Sequence, residues 1–190
     1  ALFLLDEPLA NLDAMLRLEL RAELKRLQRE HGYTFVMATP DFAEALAVAD
    51  SVALMRAGHI VQVASPQALY DDPVDLEAAR FVGSPEINLV PARLECDGRV
   101  RAGPLELAAP PALRAGRAEA LDFTAGIRPE DVALAPPDPT SACGRVVDVE
   151  PHGLKATLGI EFGDLTVRVS LAGSDDFRPR LGEAVSVHVA

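Results

Sequence analysis

The sequence predicts an α/β unit over residues 1–84 followed by an all-β unit of small-barrel type over residues 85–190. Three observations carry that division. Residues 2–5 are apolar without alternation, the pattern of a strand covered on both faces of a parallel sheet; a long amphipathic stretch and a second such run at 33–39 follow. After Gly83, Ser84 and Pro85 helical periodicity stops, and 11 of the 15 prolines lie from Pro85 onward. From there short strand-like runs recur between turn residues, as in small barrels.

The first apolar run ends in Asp6 and Glu7. In open α/β sheets, ligands bind at the carboxyl ends of strands. Read bare, the doublet is either a solvated strand end or a pair dividing one metal–phosphate task. In the second case one carboxylate holds Mg2+, usually through water, and the other accepts a proton from an attacking water or orients it. Leu12, Leu16, Leu20, Leu24 and Leu27 then recur every three or four positions, predicting a helix over roughly 13–30. Asn11 or Asp13 can cap its start and Gly32 its end. The intervening Arg17, Glu19, Arg21, Glu23, Lys25, Arg26, Arg29 and Glu30 read as a solvated helix face.

Beyond the strand at 33–39, Phe42, Ala45, Leu46 and Ala49 share one face of a short helix over 41–49, with Pro40 near its first position. Runs at 51–56 and 59–64 flank Ala57-Gly58 as a hairpin, and His59 reads as a turn-edge residue. Ser65-Pro66 opens a helix through about Tyr70, and another short helix covers 75–82. In the second unit strands are expected at 88–95, 99–107, 118–127, 131–135, 144–150, 154–161, 164–171 and 184–189, with loops at 108–116 and 136–141. No catalytic residue is expected there; His152 and His188 stand alone, without metal-ligand spacing.

Charge excludes one class of partner. The net charge is −11, divided −6 and −5 between the two units, so no basic footprint for nucleic acid exists in either. Aromatic residues make up only 5%, which leaves few stacking platforms for single strands. Cys96 and Cys143 lie 47 positions apart with no CxxC, and read as ordinary thiols of a reducing compartment. No apolar run approaches the roughly 20 residues of a membrane helix, and a signal peptide is not expected.

The run Leu4-Leu-Asp6-Glu7-Pro-Leu-Ala-Asn11-Leu-Asp13-Ala14 resembles the Walker B and D-loop segment of ATP-binding-cassette (ABC) transporter ATPases. The likeness is closest to the P-loop importer branch serving maltose, other sugars and glycerol-3-phosphate, and it extends along nearly the whole chain. Val63-Ala-Ser-Pro-Gln-Ala-Leu-Tyr-Asp-Asp-Pro73 and Phe81-Val-Gly-Ser-Pro-Glu-Ile-Asn88-Leu89 resemble the segment after the family's ATPase core. Gly126-Ile-Arg-Pro-Glu130 resembles a motif of its C-terminal oligonucleotide-fold-like (OB-like, TOBE) regulatory domain. The resemblance implies a partial ABC ATPase core over 1–84 and a TOBE/OB-like barrel over 85–190 that pairs subunits and receives regulatory signals.

By the same resemblance Asp6 is the Walker B aspartate serving Mg-ATP through water, Glu7 the catalytic glutamate, and Asn11 and Asp13 D-loop residues that meet a partner subunit. ATP and Mg2+ are the implied cofactors. A second ATPase subunit, in a homo- or heterodimer, and transmembrane permease subunits are the implied partners. The implied location is peripheral, on the cytoplasmic face of the cell membrane. One position departs from the family: its Thr-His-Asp, whose histidine contacts the γ-phosphate, reads Thr39-Pro40-Asp41 here. Proline has neither side-chain donor nor N–H. Two functions are therefore expected: an ATPase subunit energising uptake of a carbohydrate, polyol or glycerol-3-phosphate, or a catalytically degenerate scaffold and regulatory subunit paired with an active partner. No G-x-x-x-x-G-K-[S/T] or Ser-Gly-Gly-Gln occurs in the 190 residues, so the chain is expected to be the C-terminal part of a longer ATPase, inactive alone. The strand at 33–39 is then expected to carry a bare apolar edge that drives self-association.

Overall fold

The computed structural model describes residues 1–109, 113, 119–175 and 177–189. The chain divides into two compact units, Ala1–Ser84 and Pro85–Ala190.

In the first unit, strand β1 (Leu2–Asp6) leads through helix α1 (Ala14–His31) to strand β2 (Thr34–Ala38). The two strands pair in parallel, Leu2 opposite Thr34 and Asp6 opposite Ala38. A parallel pair needs a crossover of a dozen or more residues, and α1 supplies it. Asp13, not Asn11, caps α1, its carboxylate accepting from the Leu16 N–H at 2.9 Å. Gly32, with φ 62°, closes the helix through a bond from its N–H to Gln28. Helix α2 (Phe42–Val48) is capped by Asp41, so Pro40 lies one residue ahead of the cap and not at the first helical position. Its fixed φ suits that approach equally well, and the helix loses no hydrogen bond there.

Strands β3 (Val52–Arg56) and β4 (His59–Ala64) form the hairpin, with Ala57 and Gly58 both at positive φ as a two-residue primed turn requires. Helices α3 (Pro66–Asp71) and α4 (Leu76–Phe81) follow, capped by Ser65 and Asp75. Phe42, Leu69 and Val82 form a small core with Val52, Leu54, Ala64 and Tyr70 around it. Arg56 ties the hairpin to α4 through Asp75 at 2.8 Å and Glu77 at 2.7 Å.

The expectation that both faces of β1 are covered does not hold within these residues: Leu2 is 62% and Leu4 76% exposed. No residue of α1 is buried, so its leucine stripe is only partly covered. The cause is one of extent. The parallel sheet has two strands, and among the described residues no further strand extends it.

Among its described residues the second unit has nine strands in two sheets. One has the order β7-β6-β5-β8: β5 (Asn88–Leu94), β6 (Val100–Ala102), β7 (Leu105–Leu107) and β8 (Leu121–Ile127). The other has the order β12-β11-β10-β13-β9: β9 (Val132–Ala135), β10 (Ala142–His152), β11 (Lys155–Phe162), β12 (Leu165–Leu171) and β13 (Ala184–Val189). Their alternating inward residues, among them Val90, Leu94, Val100, Leu158, Ile160, Val167 and Val185, share one core. Asn88 stitches the sheets: its amide donates to the carbonyls of Ile127 (3.1 Å) and Arg168 (2.8 Å), and its oxygen accepts from the Arg168 N–H at 2.7 Å.

The strand expected over 99–107 is two strands, because Gly103 at φ 59° and Pro104 form a two-residue turn between Ala102 and Leu105. The expected loop at 108–116 lies outside the described residues except for 108, 109 and 113, as does the start of the strand expected at 118–127. Among the described residues, no helix is long and apolar enough to cross a membrane.

Candidate functional site

The parallel register sets Asp6 beside Ala38 at the carboxyl end of the β1–β2 pair. The next residue continues the contact, the Glu7 N–H donating to the Ala38 carbonyl at 2.9 Å. Thr39, Pro40 and Asp41 follow Ala38 directly. The acid doublet and the proline turn therefore share one strand end, although 33 positions separate Glu7 from Pro40.

The loop after β1 is held by an apolar anchor and shaped by two strained positions. Leu9 is fully buried. Glu7 at φ 41° and Asn11 at φ 63° lie in the left-handed region. Asparagine tolerates that region; for glutamate it carries a cost of about 1–3 kcal/mol that the surroundings must offset. The Ala10 N–H bonds back to the Glu7 carbonyl at 3.0 Å and closes the turn. Asp6, Glu7, Asn11 and Asp13 are all exposed, and Asp13 spends one oxygen on its cap. Pro40 is exposed on the adjacent turn.

Sequence reasoning missed Glu44. It is 4% exposed, and among the described residues no other carboxylate is buried. Thr39 Oγ1 donates to Glu44 Oε2 at 2.7 Å and accepts from the Asp41 N–H at 3.1 Å. Arg17 Nε stands 3.5 Å and Arg21 Nη2 3.9 Å from Glu44 Oε1. The reading of the α1 charges as one solvated face is corrected accordingly. Arg26 with Glu23 and Glu30 is solvent-exposed, whereas Arg17 and Arg21 turn inward to Glu44. Arg17 and Arg21 are four apart and share a face, and Glu44 sits beside the apolar Phe42 and Ala45, but neither spacing states how α1 and α2 dock.

Remaining candidates fall apart as sites. His59 is exposed beside its turn, and His152 is exposed 3.7 Å from Glu150. His188 is exposed on β13, and Cys96 and Cys143 are exposed free thiols. Among the described residues no group of three or more His, Cys, Asp or Glu side chains gathers as a metal cage.

The class follows from comparison with known families. Residues 83–132 match the MalK OB fold domain and residues 125–190 the TOBE domain. The relatives narrow this. The chain is 39% identical over 182 residues to the uncharacterized ABC transporter ATP-binding protein y4oS of Sinorhizobium fredii, covering 93% of this chain and 47% of that protein. It is 37% identical over 194 residues to the sn-glycerol-3-phosphate import ATP-binding protein UgpC of Paraburkholderia xenovorans (98% and 52%). It is 43% identical over 135 residues to the UgpC of Rhizobium meliloti (71% and 36%). Over nearly all of its length the chain is thus similar to ABC transporter ATP-binding proteins, several of them named for sn-glycerol-3-phosphate import, and it matches their C-terminal portion. It spans about half the length of the two relatives it matches over nearly all of its residues, 47% and 52%.

Proposed function

We propose that this chain is the part of an importer ATP-binding subunit that carries the Walker B, D-loop and switch positions, followed by its regulatory domain. The subunit couples ATP binding and hydrolysis to uptake of a carbohydrate, a polyol or glycerol-3-phosphate. In this reading residues 1–84 belong to a P-loop ATPase core and residues 85–190 are an OB-like barrel. The observation that carries it is the acid doublet at the carboxyl end of β1, tied by the Glu7 N–H to the end of β2 beside the Pro40 turn. The naming of relatives as sn-glycerol-3-phosphate import ATP-binding proteins supports the substrate class.

The donor chemistry at β1 fits Mg2+. Asp6 is an exposed carboxylate, a hard oxygen donor, and Mg2+ binds through one or two carboxylates with water and phosphate oxygens completing its shell. Bound there, Mg2+ supplies charge neutralisation on the phosphates. Asp6 would hold that ion, with water completing the contact. Glu7, one residue on, accepts the proton of the attacking water or orients it. Asn11 and Asp13 face a second ATPase subunit. Pro40 offers no donor where the family has its histidine. Permease subunits at the cytoplasmic face of the membrane complete the assembly.

That last feature favours a second reading, a scaffold subunit that binds ATP without turning it over efficiently and pairs with an active partner. Single-turnover ATP hydrolysis by the full-length subunit separates the two. If the subunit is an ATPase, Glu7→Gln abolishes measurable turnover. If it is a scaffold, wild type and Glu7→Gln are equally slow, and Pro40→His raises turnover about a hundredfold or more, the usual scale for one acid–base or donor group. Turnover that ignores both substitutions overturns the site assignment.

A further inference from the structure

We propose that Glu44 is a positioning residue joining the loop at 11–13 to the turn at 39–41, so that two edges of the nucleotide site hold their places together; this rests on the reading of those segments given above. Burying a carboxylate between two helices is unfavourable unless it is paired, and an apolar side chain would pack there at lower cost. The partners of Glu44 explain what it does instead. On one side, the Thr39 hydroxyl donates to it at 2.7 Å while holding the Asp41 N–H at 3.1 Å. On the other, Arg17 pairs with it and donates from Nη2 to the Leu12 carbonyl at 3.2 Å. Thr39 and Asp41 flank Pro40, and Leu12 lies between Asn11 and Asp13. The path from the Asp41 N–H through Thr39, Glu44 and Arg17 to Leu12 begins and ends in the two candidate site loops.

Pro40 gives this path its purpose. With neither N–H nor side-chain donor, the proline cannot secure its own turn; the flanking Thr39 and Asp41 must do so, and Glu44 anchors Thr39. The two halves of the path differ in stiffness. Thr39–Glu44 is a short hydrogen bond, whereas Arg17 Nε, 3.5 Å from the carboxylate, and Arg21 Nε have no hydrogen-bond partner. The arginine side is therefore held by charge, which falls off slowly with distance and tolerates a small shift of α1 without unpairing Glu44.

Amide hydrogen exchange on the full-length subunit tests the link, because a local packing role and a bridge differ in what they disturb at a distance. The amides of Leu16 and Arg17, bonded to Asp13, report on the first loop; those of Ala43 and Glu44, bonded to Asp41, report on the turn. Thr39→Val is expected to speed exchange at 16 and 17, and Arg17→Met at 43 and 44, each about tenfold, the scale of one hydrogen bond to a charged group. Thr39→Ser keeps the hydroxyl and is expected to leave both unchanged. Glu44→Gln should loosen both segments and, in a Pro40→His background, lower kcat with KM for Mg-ATP little changed. If each substitution loosens only its own segment, the bridge does not exist. Should no variant bind Mg-ATP, the nucleotide reading fails, and the exchange pattern still decides whether Glu44 couples the loops.

Discussion

The two units treat apolar surface in opposite ways. The second buries its alternating residues between two sheets, and Leu158, Ile160, Val167, Val169 and Val185 are 1% exposed or less. The first buries Phe42, Leu69 and Val82 at its centre but leaves Leu2, Leu4 and Val36 of its parallel strands 55–76% exposed. Antiparallel sheets packed face to face close their own core. A parallel pair does not, since it needs cover on both faces. One unit thus buries its apolar residues in a core of its own, while the other carries the candidate chemistry on a sheet with exposed apolar residues.

The largest expected effect breaks that comparison most sharply. Ile160→Ala should cost about 2–5 kcal/mol, the range for a fully buried aliphatic truncation, whereas Leu4→Ala should stay within about 0.5 kcal/mol. Urea unfolding of the 190-residue protein, followed separately in each unit, measures both; equal costs would erase the distinction. Next is Asn88→Ala, which strands the Arg168 N–H and two carbonyls at the junction of the sheets. About 1–3 kcal/mol is expected, with the loss confined to the second unit.

The smallest effect concerns pH. The Asp75 carboxyl is held below its ordinary value, first by its hydrogen bond from Arg56 and then by the Ala78 N–H it caps. A depressed acid contributes stability that is present above its unfolded-state value and is lost as pH falls through its folded-state value. Acid titration should therefore unfold the α4 end of the first unit at higher pH in Asp75→Asn than in wild type at equal ionic strength. High salt should narrow the difference, because the pair is solvent-exposed.

Much of this architecture was legible in the sequence, for reasons tied to particular residues. Ala57-Gly58 demanded a hairpin turn, Gly32 a helix stop, and Ser65-Pro66 a helix start; local backbone chemistry dictates each. The break inside 99–107 was legible too, in Gly103-Pro104, but apolar residues on both sides hid it. Burial was harder to read. An unalternating run such as residues 2–5 states what a strand requires, not whether the neighbours that satisfy it lie within the same residues. Of the candidate site, the doublet and the proline were readable from spacing and family likeness. Glu44 was not, since a glutamate on a short helix is buried or exposed according to how α1 and α2 dock, and no periodicity encodes that.

We propose that Asp6 is the Mg2+-serving carboxylate of a nucleotide site, and equilibrium binding of ATP to the full-length subunit, with and without Mg2+, is the sharpest check. Asp6→Asn is expected to abolish the Mg2+-dependent gain in affinity, a loss of about tenfold or more, while leaving metal-free binding within about twofold, since one ligand to the ion's water shell is removed and nothing else. The same Mg2+ dependence in wild type and Asp6→Asn would contradict it.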